Sequence, residues 1–558
     1  MSNQKLADII FSKDVKPIQY WFDKYPARKL NTSAEVTRLC PSPTGFLHLG
    51  ALYMGVINQR IARDTGGILY LRIEDTDTDR EVSGARKLIV EGLAEFGIKF
   101  NEGFLDGDNQ FGEYGPYLQT QRADIYASFA RELVLSGRAY PCFMTKDELD
   151  IQRKHQEDEK TRPGYYGKYA IWRDASIEKV QEKLAQNVPY VLRFKSMGDQ
   201  NIKRPFKDEF LGTIQVPQND EDFVLLKTNK IPTYHLAHVV DDYLMGTTFV
   251  IRATEWLPSV GKHLDLWDAF NLSVPKYGHL APINKKEGSA VRKLSKRKDP
   301  EANIMRYIEL GYPSEALIGY LYRLANPSFD DWWQSERRSS VWDFPFVLNE
   351  LQKSGPGPLI DLKKLDSISS DMIAFMTAED VADRMIKWAS KYDTDFAKVI
   401  VTERNYLENI LNIERDFNNP RKDIINWSVG RDAISYFFDS IFDSKQTKQI
   451  LIETQLDIVS KEVSENLIDR ISDNKFFEAE SLELWLSEMR VLAEDLGFAL
   501  DKSKIKENPG QYRGDFADFM KLIRLAVTGT NRTPNLFYVF NVMGKERVMN
   551  RIKTTLSF

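Results

Sequence analysis

Apolar residues along this chain first come in two sets of short strand-like runs separated by helix-like stretches, and later settle into helical spacing alone. Val36 to Cys40 (VTRLC) is a run of β-formers that stops at a Pro- and Gly-bearing turn, PSPTGFLHLG. From Ala51 the stretch ALYMGVINQRIARDTGG carries helical spacing and ends on Gly66–Gly67, a helix stop. Ile68 to Asp75 (ILYLRIED) again favours a strand, and Val82, Ile89, Leu93 and Phe96 then fall on one helical stripe. Strand, turn, helix, strand is a βαβ unit, which predicts a right-handed crossover within a parallel sheet.

A second set follows residue 221. DFVLLKT (222–228) and TTFVIRAT (247–254) read as strands around a helix-like TYHLAHVVDDYLMG (233–246), with KYGHLAPI (276–283) as a further strand. Residues 121–221, mixed in character and polar over QRKHQEDEKTRPGYYGK, read as a domain inserted into a split nucleotide-binding fold. Beyond residue 300 strand signals fade. Leu482, Trp485, Leu486, Met489, Leu492, Ala493 and Leu496 share one helical face, and residues 371–558 are expected to be all helical. Residues 1–35 read as a short extension whose role the pattern does not reveal.

At 558 residues the chain exceeds what one core holds, so several domains are expected. With 42% hydrophobic and 28% charged residues it has a globular composition. It contains no apolar run near the roughly 18–20 residues that span a bilayer. Its first residues, MSNQKLADIIFSKD, lack the basic-then-apolar order of a secretory signal. Two cysteines, Cys40 and Cys142, make no disulfide framework, so a cytoplasmic location is expected. A net charge of −5 argues against a chain coated in nucleic acid, yet phosphate contacts depend on where charges sit. From Lys285 to Lys298 seven basic residues stand against one Glu, a solvated flexible loop unless an anion is held there.

Two strings bear on such an anion. In PSPTGFLHLGA (Pro41 to Ala51) the turn lets backbone N–H groups approach a phosphate, the helix start favours negative charge, and His48 stands there as a further donor. Alone, such a turn usually just connects elements. KLSKR (Lys293 to Arg297) places two lysines around a serine, suited to closing over a triphosphate and stabilising transition-state charge. Alone, it is a surface loop. Together, on the two halves of one split fold, they point to nucleotide chemistry.

The first string resembles the HIGH signature of class I aminoacyl-tRNA synthetases, and KLSKR resembles their KMSKS signature. With RIEDTD (72–77), YGPYLQTQR (114–122), AYPCF, RPGYYG, PTYHLAHVVDD (232–242) and IRATEW (251–256) in order, the chain resembles the bacterial-type glutamyl-tRNA synthetases over residues 36–330. The likeness returns at LIRLAVTGTNRTPNLFYVFNVMGKERV. It implies an α/β Rossmann-type catalytic domain (36–120 and 222–285) split by an α+β acceptor-stem-binding insert (121–221). A stem-contact region with the KLSKR loop (286–370) and an all-α anticodon-binding region (371–558) would follow. The implied reaction joins L-glutamate to the 3′ end of tRNA(Glu) through a glutamyl-adenylate. ATP is implied as co-substrate, with Mg2+ arriving on the triphosphate.

By the same resemblance Arg38, Cys40, Ser42 and Glu74 lie at the charged ends of the amino acid. Tyr234, His238 and Arg252 lie at its side chain, where the Arg252 fork suits a carboxylate bidentately and leaves a neutral amide underpaired. Read without the family, Glu74 and Arg38 would simply pair with each other and Tyr234 would be a core aromatic. Thr44, Gly45, His48, Gly50, Glu255, Trp256, Leu294 and Lys296 are the implied ATP contacts, and His48, Lys293 and Lys296 the catalytic groups. The partners implied are tRNA(Glu) and L-glutamate, with tRNA(Gln) left open as a second acceptor, no membrane, and a monomeric state.

Three departures bear on this. The final His of the first signature is Ala51, and His238 stands where Asn is common, which puts that contact in doubt. Some relatives bind zinc in the insert through Cys-x-Cys and later Cys and His, whereas Cys142-Phe143-Met144 lacks the second Cys and no later Cys exists. A glutaminyl enzyme is the nearest alternative, but it usually carries Glu and Asn in place of Ser42 and Thr44. A non-catalytic tRNA-binding paralogue is the other, opposed by retention of His48, Lys293 and Lys296. One Cys cannot build a tetrahedral thiolate site, so no structural zinc is expected. Elemental analysis of chelator-treated, dialysed protein should find none, and a stoichiometric content would refute this.

Overall fold

The computed structural model describes residues 3–556 apart from 338, 348–356, 417, 419, 444–445, 448, 451–460 and 509. Two short helices, α1 (Asn3–Ile10) and α2 (Ile18–Lys24), precede strand β1 (Val36–Leu39), which is buried throughout. The turn after β1 leads into α3 (Leu49–Thr65). This helix starts two residues before Ala51 because His48 caps it: the imidazole Nδ1 accepts from the Gly50 N–H at 2.9 Å. It stops at Gly66, whose φ of 66° is left-handed backbone, as the sequence predicts.

Strand β2 (Ile68–Leu71) lies parallel to β1, with Val36 opposite Ile68. It ends before the expected Asp75, because the Ile73 N–H turns away to the Tyr117 carbonyl. Helix α4 (Ala85–Glu95) buries Ile89 and Leu93 of the predicted stripe, and Phe96 is buried just past its end. Val82 lies outside this helix and is 49% exposed, because Gly84 at φ 77° separates it from the first turn. Strand β3 (Glu102–Asp106) adds parallel to β2, and β4 (Asn109–Phe111) closes that edge antiparallel.

After α5 (Ala123–Leu135) come β5 (Ala139–Cys142), α6 (Lys146–Asp158), α7 (Ile177–Ala185), β6 (Val191–Phe194), β7 (Lys203–Asp208), β8 (Gly212–Pro217) and β9 (Val224–Leu226). The chain then forms α8 (Tyr234–Leu244), β10 (Phe249–Ala253), α9 (Val260–Ala269) and β11 (Lys276–Leu280). Strands β10, β11 and β7 pair in parallel, with β8 antiparallel on β7. Strand assignment crosses the expected boundary at residue 221 in both directions. Strand β9, read as part of the second catalytic half, pairs antiparallel with β6, whose other edge holds β5, in a separate three-stranded sheet. Strand β7, read as insert, joins the sheet of β10 and β11.

The two four-stranded sheets meet where Thr248, just before β10, donates its N–H to the Val36 carbonyl at 3.0 Å. The parallel strands thus stand in the order β3-β2-β1-β10-β11-β7. The chain departs in opposite directions on either side of β1 and β10, and this reversal is where open α/β sheets bind ligands, beyond the carboxyl ends of the strands.

Beneath that point lies a buried ionic cluster at the end of α8. Asp242 takes the Arg38 Nε at 3.2 Å and the Arg72 Nη1 at 2.8 Å, while Asp241 takes the Arg122 Nε at 2.7 Å, Gln119 and Tyr126. Burial alone would push the Asp242 carboxyl up, but Arg38, Arg72 and His238 hold it well below the usual range. Residues 1–35 turn out to be a strap on this core. Trp21 donates to Ser128 on α5, Tyr25 to the Gly115 carbonyl, and Arg28 forks onto Glu102 of β3 at 2.7 and 2.8 Å.

The chain divides into two units: Met1–Arg306 with Ile318–Gln334 and Ser340–Asp361, and Tyr307–Leu317 with Ser335–Ser339 and Leu362–Phe558. Among its described residues the second is built of helices. One of these, Leu482–Asp495, buries Trp485, Met489, Leu492 and Ala493 as the spacing predicts. No helix among the described residues is long and apolar enough to cross a membrane.

Asp242→Asn should destabilise the first unit by about 3–5 kcal/mol, because it leaves the buried Arg38 without an ionic partner and removes one of those of Arg72. Hydrogen exchange at the β1 and β2 amides reads this. A change below about 1 kcal/mol, the scale of a surface pair, would show that the cluster is not a structural clamp.

Candidate active site

The carboxyl ends of β1 and β10 open onto one cavity of about 660 Å3, within the range of small-molecule sites. The expected site residues all line it except Thr44, Gly45 and His238. Thr44 and Gly45 form the adjoining turn, where the Thr44 N–H bonds the Ser42 carbonyl and Gly45 takes a φ of 124°. His238 is fully buried, one helical turn beyond Tyr234 on α8 and stacked against its ring at 5.5 Å. It therefore acts behind the pocket wall and not on it.

At one end stand Arg38, Cys40, Ser42 and Glu74. Arg38 and Glu74 do not pair with each other: Arg38 bonds Asp242 and the Ile251 carbonyl, and Glu74 accepts from Arg72 at 3.2 Å. Burial raises the Glu74 carboxyl, and Arg72 and Arg38 only partly offset this. Burial also raises the Cys40 thiol to about 12, so at neutral pH it is a small neutral wall group.

Arg252, on β10, is buried and donates to three side chains: His279 through Nε at 2.9 Å, and His263 and Tyr234 through Nη1 at 3.1 and 3.2 Å. Trp256 packs on the Tyr234 ring with centroids 4.2 Å apart. His263, His279 and Asp208, the partner of His279, are not singled out by the sequence pattern. The available signal was rarity, since four of the chain's six histidines (His235, His238, His263 and His279) fall in the second catalytic half.

At the other end the basic run is a β-hairpin, β12 (Asn284–Glu287) with β13 (Ala290–Lys293), and not the flexible loop its composition suggests. KLSKR begins on its last strand residue and turns over Asp299. That carboxylate accepts from Arg292 at 2.6 and 2.9 Å, from Lys285, and from the Ser295 N–H at 2.7 Å. Leu294 is buried, Lys293 pairs with Glu255, and Lys296 projects beside Phe46 with its ammonium 5.4 Å from the ring. Burial lowers the Lys296 ammonium. His48 completes this end. Burial, with Lys296 and Lys293 adding to it, lowers its imidazole to about 4, so it is a neutral ring whose Nδ1 caps α3. The arrangement offers a cationic recess at each end of one cavity, suited to two anionic groups brought together.

Parallel strands reversing at such a cavity, with a histidine-capped helix and a lysine turn on its rim, define a class I aminoacyl-tRNA synthetase frame. The family model described as "tRNA synthetases class I (E and Q), catalytic domain" matches residues 35–331, and an anticodon-binding-domain model matches residues 511–556. Across its full length the chain is 39% identical to the glutamate–tRNA ligase of Clostridium perfringens (strain SM101 / Type A), and 38% identical to that of Acetivibrio thermocellus, each covered completely. The structure of a glutamate tRNA ligase from Elizabethkingia meningosepticum, in complex with its amino acid, superposes with a TM-score of 0.72 at 26% identity. That match covers 94% of this chain and 99% of the other. The chain belongs to the glutamate–tRNA ligase family.

The buried imidazoles carry a pH dependence. Burial lowers His48 and His238 to about 4, His235 to about 3, and His263 well below the ordinary value of 6.5. Groups depressed in the folded state bind protons more readily when unfolded, so stability is full above about pH 6.5 and declines as the pH falls toward 4. Denaturation at pH 7 and 4.5 should differ by a few kcal/mol, and His263→Asn should flatten that difference. An equal slope in wild type and variant would contradict the assignment.

Proposed function

We propose that this chain activates L-glutamate with ATP and transfers it to the 3′ end of tRNA(Glu). The observation that carries this reading is a single cavity with Arg252 at one end and His48 and Lys296 at the other. Arg252 and Tyr234 receive the side-chain carboxylate, while Arg38, Cys40, Ser42 and Glu74 surround the amino and α-carboxylate groups. Gly50, Glu255, Trp256 and Leu294 flank the nucleoside, with Thr44 and Gly45 supplying the turn beside it.

The α-carboxylate oxygen attacks the α-phosphorus, and the bond to pyrophosphate breaks. The terminal ribose hydroxyl of tRNA then attacks the acyl carbon, and AMP leaves. No side chain forms a covalent bond in either step. The work of the protein is alignment and charge stabilisation: Lys296 faces the phosphates as negative charge builds on the leaving group, and His48 holds the α3 N-terminus toward them. Mg2+ comes with the triphosphate. Residues 121–221 would meet the acceptor stem and residues 371–558 the anticodon; whether tRNA(Gln) is also charged rests on the latter.

The decisive measurement is charging of tRNA(Glu) and tRNA(Gln) with labelled glutamate and, separately, labelled glutamine. Glutamate on tRNA(Glu) is expected, and charging with glutamine would overturn the reading. Arg252→Ala should raise KM for glutamate about 100-fold or more, as loss of a desolvated charge pair does. KM for ATP should stay nearly unchanged.

A further inference from the structure

Arg38 and Arg72 are balanced by Asp242 and Glu74, but Arg252, only 6% exposed, forms no ion pair among the described residues. The side chains that touch it are neutral, with the Asp208 carboxylate one imidazole away, and hydrogen-bond direction shows why. A guanidinium only donates, so both ring nitrogens that meet it must be acceptors. The first is His279 Nε2, which puts that ring's proton on Nδ1, 2.6 Å from Asp208 Oδ2. Asp208 is itself held by the N–H groups of Phe210 and Leu211. The second is His263 Nδ1, which puts the proton on Nε2 facing His235 Nδ1 at 3.1 Å. Burial also lowers both imidazoles, in keeping with these neutral forms.

The consequence is a fork with one open prong. Nε is closed by His279 and Nη1 by His263 and Tyr234, while Nη2 reaches only the Trp256 carbonyl at 3.5 Å. The bidentate grip expected from the sequence is therefore not available in this geometry. The Tyr234 hydroxyl accepts from Nη1 and keeps its own proton to give.

We infer that His263 and His279 are positioning residues that aim Arg252 Nη2 and the Tyr234 hydroxyl jointly at the substrate's side-chain carboxylate. By holding the guanidinium without neutralising it, they sharpen selection against a neutral amide. A carboxylate in either place would bond the fork equally well and satisfy its charge, leaving little demand for an anionic side chain. A buried cation held only by neutral acceptors is unfavourable until an anion arrives, and that penalty is what an amide substrate leaves unrelieved.

The inference rests on Arg252 as the side-chain partner, and the test separates the two. His263→Glu should raise KM for glutamate about 30-fold or more, narrow the preference for glutamate over glutamine, and leave KM for ATP unchanged. His263→Gln, which keeps a neutral acceptor, should stay near wild type in all three. On the other side of the fork, His279→Leu removes the acceptor and His279→Gln restores it, giving the same comparison if a His263 variant does not fold. Equal effects of the Glu and Gln variants, or an unchanged glutamate preference in His263→Glu, would overturn the positioning role. If Arg252→Ala itself leaves KM for glutamate unmoved, the underlying pocket reading fails instead.

Discussion

Two adjacent carboxylates at the end of α8, Asp241 and Asp242, determine how the halves of the catalytic fold come together. Between them they hold Arg38 from β1, Arg72 from just beyond β2, and Arg122 from the start of α5. With Glu74 on Arg72, three buried cations meet three carboxylates, so the cluster closes without net charge. Such clusters seldom add much stability over an apolar core, since each ion must first be stripped of water. What they add is selectivity among arrangements: a slip of β1 against β10 would strand charges that have no other partner. The cavity floor is therefore fixed before any substrate binds.

The same cavity uses two electrostatic rules a few residues apart. Beneath the floor every guanidinium meets a carboxylate and serves structure. At Arg252 the carboxylate is withheld, and histidines replace it as acceptors. At the phosphate end the cations follow a third pattern. Lys293 is paired with Glu255 on the exposed rim, whereas Lys296 is half-buried beside Phe46, where burial pushes its ammonium below the ordinary lysine range. Reaction requires an α-carboxylate to approach a triphosphate, two anions that repel. Positive groups fixed beforehand at both ends reduce that repulsion without reorganising during the step.

Much of this was legible from residue pattern. β1, α3 and β2 appear close to where the runs of β-formers and the Gly66 stop place them, β2 as the apolar run that a buried parallel strand favours. The failures have physical causes. A three-residue strand such as β9 declares that it is buried but not in which sheet, so its pairing with β6 is not legible in the pattern. The hairpin β12–β13 carries Lys285, Lys286, Arg292 and Lys293 and lacks the alternation that marks a strand; its order comes from Asp299, which sequence spacing does not reveal. His263 and His279 sit in apolar runs, HLDLW and KYGHL, where a lone histidine reads as a satisfied core residue. Only folding shows that both satisfy the same arginine.

Helix α8 ties the pocket to the ionic cluster. Its first turns carry Tyr234, His235 and His238 toward Arg252, and its last turn carries Asp241 and Asp242 to Arg38, Arg72 and Arg122. An eleven-residue helix is about 16 Å long, so one rigid element links the side-chain pocket to the floor at the α-carboxylate end. Its end is held from outside as well, since Arg28 of the N-terminal strap donates to the Met245 carbonyl while its fork grips Glu102 and its plane stacks on Tyr114 at 3.8 Å. The extension that composition left unread thus braces the helix on which the pocket is built.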